Sequence, residues 1–176
     1  TELDIPEPWT SEIRSLFVDL LLTGHDAIPV IETLDQLDLF VPFLPEWEPA
    51  RSKPQRNAYH RFTVDRHLLE TAAEAAKLAD RVERPDLLVI GALLHDIGKP
   101  LPGDHTEIGI KLIQTIGTRM GFSAVDVETL IKMCEHHLLL PDIATRRDLD
   151  DFDTIQTVGN SLKSITTVDL LHALTE

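Results

Sequence analysis

Residues 86–94 read DLLVIGALL, with no polar side chain after the first position. A helix of this kind is apolar on every side, so it has no face for water and must sit among other elements. It runs directly into His95 and Asp96, and Gly98, Lys99 and Pro100 then stop it. The end of a buried helix is a poor place for a carboxylate. The last carbonyls already carry partial negative charge and favour a cation, and burying an unpaired carboxylate costs on the order of several kcal/mol. The pattern therefore demands something positive against Asp96.

The rest of the chain is also patterned for helices. Thr10 or Ser11 can cap a first helix with Ile13, Leu16, Phe17, Leu20 and Leu21 on one face and Gly24 at its end. Asp26 can cap a second, with Pro29 tolerated in its first turn. Residues 41–58 hold four prolines and read as an irregular connection. This divides the chain into a helical connector, 1–58, and a main unit, 59–176. Thr63 caps a helix over 64–82, striped by Val64, Leu68, Thr71, Ala75, Leu78 and Val82. The buried helix 86–96 comes next. Asp104 caps a helix to about Met120, ended by Gly121, and Ser123 with Asp126 forms a capping box for another. Two further helices span roughly 153–163 and 166–175. No alternating strand and no internal repeat is present, so the expected fold is an all-α bundle.

Composition narrows the function. Apolar residues make up 43 % of the 176 positions, which excludes wholesale disorder. The formal net charge is −14 and no Lys/Arg block occurs, which argues against nucleic acid and against an anionic membrane surface as partners. No apolar run reaches the length of a membrane span. The single cysteine, Cys134, cannot form an internal disulfide, which fits a cytoplasmic setting. The chain opens on Thr1 rather than Met and reads as a segment of something longer.

Placed on these helices, several histidines and acids face inward. His67 lies at the edge of the 64–82 stripe, and His105 sits in the first turn after Asp104. His137 flanks the apolar face formed by Val127, Leu130, Ile131, Cys134 and Leu138, while His136 points the other way and reads as solvated. Asp169 is the only acid in SITTVDLLHALT. The inward set is thus His67, His95, Asp96, His105, His137 and Asp169. Imidazoles with carboxylates suit a divalent cation, and six donors suit two ions bridged by Asp96. Each residue also has a reading without metal. His95 suits a helix C-terminus, Asp96 could pair with Lys99, and Asp169 could cap a neighbouring helix. No short-range pattern such as HExxH is present.

ALLHDIGK, preceded by His67, followed by His105 and His137 and closed by Asp169, resembles the HD superfamily of metal-dependent phosphohydrolases. The stretches YHRFTVDRHLLET, GDHTEIG, EHHLLLPDIATRRDLDD and LLHALTE further resemble the HD domain of bifunctional uridylyltransferase/uridylyl-removing enzymes. The likeness covers residues 59–176, and 1–58 looks like the connector preceding that domain. Glycine stands at 98 where alanine is frequent in this branch.

The resemblance implies a helical HD bundle that hydrolyses the phosphodiester between a nucleoside monophosphate, UMP or AMP, and a tyrosine of the PII nitrogen-regulatory protein. It implies one or two divalent ions, with manganese or magnesium expected and iron or zinc as alternatives. His67, His95, Asp96 and Asp169 would hold the first, and His105 and His137 a second. His95, Asp96 and Lys99 are expected to be catalytic. Lys99, Arg146, Arg147 and His60 are expected near phosphate, although Arg146 and Arg147 could pair with Asp148, Asp150 and Asp151. His172 reads as a supporting or core residue and His25 as structural. Glutamine would act as an effector through domains outside this chain. Two rivals remain: an HD hydrolase of a free nucleotide, and a metal-stapled module without turnover.

Overall fold

In the computed structural model, residues 5–55, 61–146, 152–162 and 164–175 are described. The segment read as buried forms helix α4, Pro85–Leu94, and every residue from Leu87 to Leu94 is buried. Pro85 opens it, where a missing N–H costs nothing. The helices packed around it are α1 (Ser11–Leu22), α3 (Val64–Ala76), α6 (Ala124–His136) and α9 (Ile165–Thr175). The remaining helices are α2 (Ala27–Gln36), α5 (His105–Arg119), α7 (Leu139–Arg146) and α8 (Phe152–Leu162). Among the described residues there is no strand, and no helix is long and apolar enough to cross a membrane.

Three of the caps read from sequence hold helix starts in place, whereas Asp26 and Thr63 stand at the expected positions without a side-chain capping bond. Thr10 accepts from Ile13 N, Asp104 from Thr106 N and Glu107 N, and Ser123 with Asp126 completes a reciprocal capping box. Asp126 also receives Arg84, which ties the start of α6 to the start of α4. Three local readings change. Leu16 is 64 % exposed, because the buried face of α1 is centred on Val18 and Leu21. The helix expected over 64–82 stops at Ala76 and gives way to a short 3-10 turn at Ala79–Arg81. Helix α7 falls where the sequence pattern marks no helix; Pro141 lies in its first turn, where proline is compatible with a helix.

The connector is not a separate layer. Its Pro45–Ala50 segment is a 3-10 helix whose Trp47 packs edge-on against Phe40 with ring centroids 5.2 Å apart. Trp9, Phe40, Leu44 and Trp47 belong to the same buried cluster as the α4 side chains, so one apolar core crosses the boundary expected near residue 58. Polar ties cross it too. Trp9 N donates to Arg119 O at 2.7 Å, and Arg119 Nη1 donates to Glu46 Oε1 at 3.0 Å.

After Leu94 the chain continues in successive tight turns, with Ile97 N on Leu94 O, Lys99 N on Asp96 O and Leu101 N on Gly98 O. These turns press against α5. A Cβ at position 98 would run into the His105 carbonyl oxygen and stand 2.7 Å from Gly109 N. A Cβ at 109 would in turn meet Cys134 Sγ at 2.8 Å. Glycine at 98 therefore has a steric cause in this chain. Backbone atoms are poor at yielding, so Gly98→Ala should lower stability by about 1–3 kcal/mol in urea unfolding. Gly159, on α8, has nothing within 4 Å of the equivalent position. Gly159→Ala should raise stability by about 0.5–1 kcal/mol in the same measurement, through helix propensity alone.

Candidate metal centre

Asp96 lies just past the end of α4, with its side chain 2 % exposed. Its Oδ2 meets three nitrogens: Lys99 Nζ at 2.5 Å, His95 Nε2 at 3.1 Å and His67 Nε2 at 3.5 Å. Its other oxygen, Oδ1, is buried without a hydrogen-bond partner and stands 3.8 Å from His137 Nε2. Lys99 thus supplies part of the positive charge that the sequence demanded. It does not account for three imidazoles around the same carboxylate.

Tautomers sharpen the point. His95 is the C-cap of α4, and its Nδ1 donates to Ala92 O at 2.8 Å. His137 is the C-cap of α6, and its Nδ1 donates to Cys134 O at 2.7 Å. In each case an orphan carbonyl at a helix end is satisfied and the ring proton is placed on Nδ1. A neutral ring then presents only a lone pair at Nε2. His95 Nε2 lies 3.3 Å from His67 Nε2 and 3.1 Å from a carboxylate oxygen, so its lone pair faces electron-rich neighbours unless a proton or a cation lies between them. Burial pushes His137 down, outweighing its bond to Cys134 and the charge of Asp96, so this ring favours its neutral form. For Asp96, burial pushes the carboxyl up. The adjoining His67 and His95 rings and the Lys99 ammonium outweigh it and hold the group far below the usual carboxylate range. All of these features express one demand for positive charge.

His67, His95 and Asp96 each offer a ligand atom, and these atoms lie within 4.8 Å of one another. The set is of the type that holds a divalent cation, with backbone carbonyls fixing the rings from behind as metal-binding histidines commonly require. Among the described residues no other group of three donors meets this condition. His137 approaches from the Oδ1 side, and His105 is exposed at the rim of the same cleft.

Asp169 is placed otherwise than expected. It is exposed on α9 and does not line the cleft, because Thr167, Leu170 and Leu171 turn the opposite side of that helix into the core. His172 is exposed as well, not a core residue. His136, read as solvated, is only 18 % exposed, and burial pushes its pKa down. His25 lies within 3.2 Å of Glu70 and 3.3 Å of Glu74, away from the centre. Arg146 closes α7, while His60, Arg147, Asp148, Asp150 and Asp151 lie outside the described residues.

The centre forms the floor of an open cleft of about 1020 Å³. Its walls include residues that sequence reasoning passed over: Lys53, Pro54 and Gln55 from the connector, and the turn from Pro100 to Gly103.

Comparison with known proteins agrees with this geometry. The family described as HD domain matches residues 64–170, a span that contains all four inward donors around Asp96. The chain belongs to the HD domain family. It is 48 % identical over 176 residues to a bifunctional uridylyltransferase/uridylyl-removing enzyme of Streptomyces coelicolor, covering all of this chain and 21 % of that protein. The namesake in Mycobacterium tuberculosis is 49 % identical over 174 residues, covering 98 % of this chain and 22 % of that protein. The one in Corynebacterium glutamicum is 32 % identical over 173 residues, covering 98 % and 25 %. The chain thus spans about a fifth to a quarter of the length of these relatives.

Two substitutions test the ligand set. Elemental analysis of the His95→Ala/Asp96→Ala variant should find no divalent metal above background, with far-ultraviolet circular dichroism still helical. Asp169→Asn should retain the wild-type metal content; loss of metal there would restore Asp169 to the set.

Proposed function

We propose that this HD domain hydrolyses the phosphodiester linking a nucleoside monophosphate to a tyrosine of the PII signal protein. One observation carries the reading: a buried carboxylate ringed by imidazole nitrogens in an open cleft of about 1020 Å³. The names of the relatives, which include uridylyl removal, support UMP as the group released. In this reading glutamine control acts through parts of a longer protein.

His67, His95 and Asp96 would hold one divalent ion, with His137 at the second carboxylate oxygen. When bound, such an ion supplies Lewis acidity, neutralising phosphoryl oxygens and acidifying water. The donor types accept manganese, magnesium, iron or zinc. The remaining work falls to the chain itself. Ala92 and Cys134 hold the protons of His95 and His137 on Nδ1 and so keep both Nε2 atoms available. Lys99 places a permanent cation at the cleft floor, which favours a phosphodiester anion over neutral ligands. The leaving group needs little help. A tyrosinate is the conjugate base of an acid with pKa near 10, so in-line attack by water expels it without a strong proton donor.

The purified chain should release UMP from uridylylated PII. Hydrolysis confined to free nucleotides, with PII left modified, would transfer the reading to a nucleotide hydrolase. Lys99→Ala should slow release on the order of 10²-fold, comparable to the loss of one electrostatic donor at a transition state, as read from kcat/KM on uridylylated PII.

A further inference from the structure

The matched family span begins at Val64, yet the cleft does not. Part of its wall is the turn Lys53–Gln55, which belongs to the preceding connector. This turn is fastened to the start of α3, the helix that carries His67. Val64 N donates to Lys53 O at 2.8 Å, Ser52 N donates to Asp65 Oδ2 at 2.6 Å, and Lys53 N donates to Ala50 O at 3.1 Å. Gln55 Nε2 adds a bond to Phe62 O at 3.3 Å. Ser52 is held at a φ of 51°, a conformation that non-glycine residues rarely adopt. Lys53 is thus held by backbone ties at the wall of the cleft that contains the metal centre.

Charge gives the placement a purpose. The chain carries 30 acidic and 16 basic residues, but among the described residues the cleft is lined by two lysines and one acid, Asp96. Of the two, Lys99 is committed to that acid. The neighbouring connector cation, Arg51, is committed to Asp35, Asp38 and Glu48. The side chain of Lys53 is exposed and makes no hydrogen bond or ion pair among the described residues. An uncommitted cation, fixed at the wall of an anion-poor cleft in an acidic protein, calls for an anionic ligand.

We infer that Lys53 is a substrate-binding residue that contacts the nucleotide phosphate, so that the connector forms part of the active cleft. The inference rests on the reading of the cleft as a nucleotidyl-ester site, and it deepens that reading by naming a positioning cation outside the family span.

The test is calorimetric titration of the Mn²⁺-loaded 176-residue chain with UMP, for wild type, Lys53→Met and Lys53→Arg. Lys53→Met should weaken UMP binding about fivefold, the scale of one partly solvated ion pair, with metal content and thermal unfolding unchanged. Lys53→Arg should restore affinity to within about twofold, and the difference should shrink at about 0.5 M salt through screening. Equal affinity of wild type and Lys53→Met, or no UMP binding by wild type, would overturn the inference. The proposed reaction fails separately. Lys53-dependent UMP binding without release of UMP from uridylylated PII would sustain this inference and remove PII as the substrate.

Discussion

The structure is organised around one carboxylate in the wrong place. Asp96 follows a helix with no polar face, is itself buried, and lies where helix carbonyls already concentrate negative charge. Such a group persists only if positive charge is gathered around it. The chain gathers a lysine from the next turn and imidazoles from the ends or edges of α3, α4 and α6. The three helices are held together by the same apolar core that buries α4, so the centre and the core cannot be separated.

The two C-cap histidines show how this is done economically. Helix ends leave carbonyls without partners, and His95 and His137 satisfy one each with Nδ1. The same bond that finishes the helix turns the Nε2 lone pair toward Asp96. Local helix chemistry thereby becomes site chemistry. The close crossing at Gly98 and Gly109 then brings the turn bearing Asp96 against α5 and, through Cys134, against α6. Any side chain at these glycines would have to push those elements apart.

Much of this is written locally in the sequence. The all-apolar run, the caps at Thr10, Asp104 and Ser123, and the inward lean of His67 and His137 follow from periodicity and from side-chain oxygens placed before apolar stripes. A lone acid in an apolar helix reads as a ligand whichever way it faces, and Asp169 is exposed on α9 away from the cleft lining. The spacing of Thr167, Leu170, Leu171 and Leu174 already marks a stripe on the opposite side, and the structure buries that side. Leu16 was misplaced for a related reason: an apolar residue at helical spacing carries no record of which edge of the stripe meets the core. The role of the connector was not legible, because Lys53 reaches the cleft through a fold-back onto α3 that no local pattern encodes.

X-ray absorption spectroscopy of the manganese-loaded chain tests most directly whether the imidazoles converge on an ion. The account predicts a mixed nitrogen and oxygen shell with the outer-shell scattering of at least two imidazole rings. An all-oxygen shell without imidazole scattering, as for a hydrated ion on surface carboxylates, would contradict it.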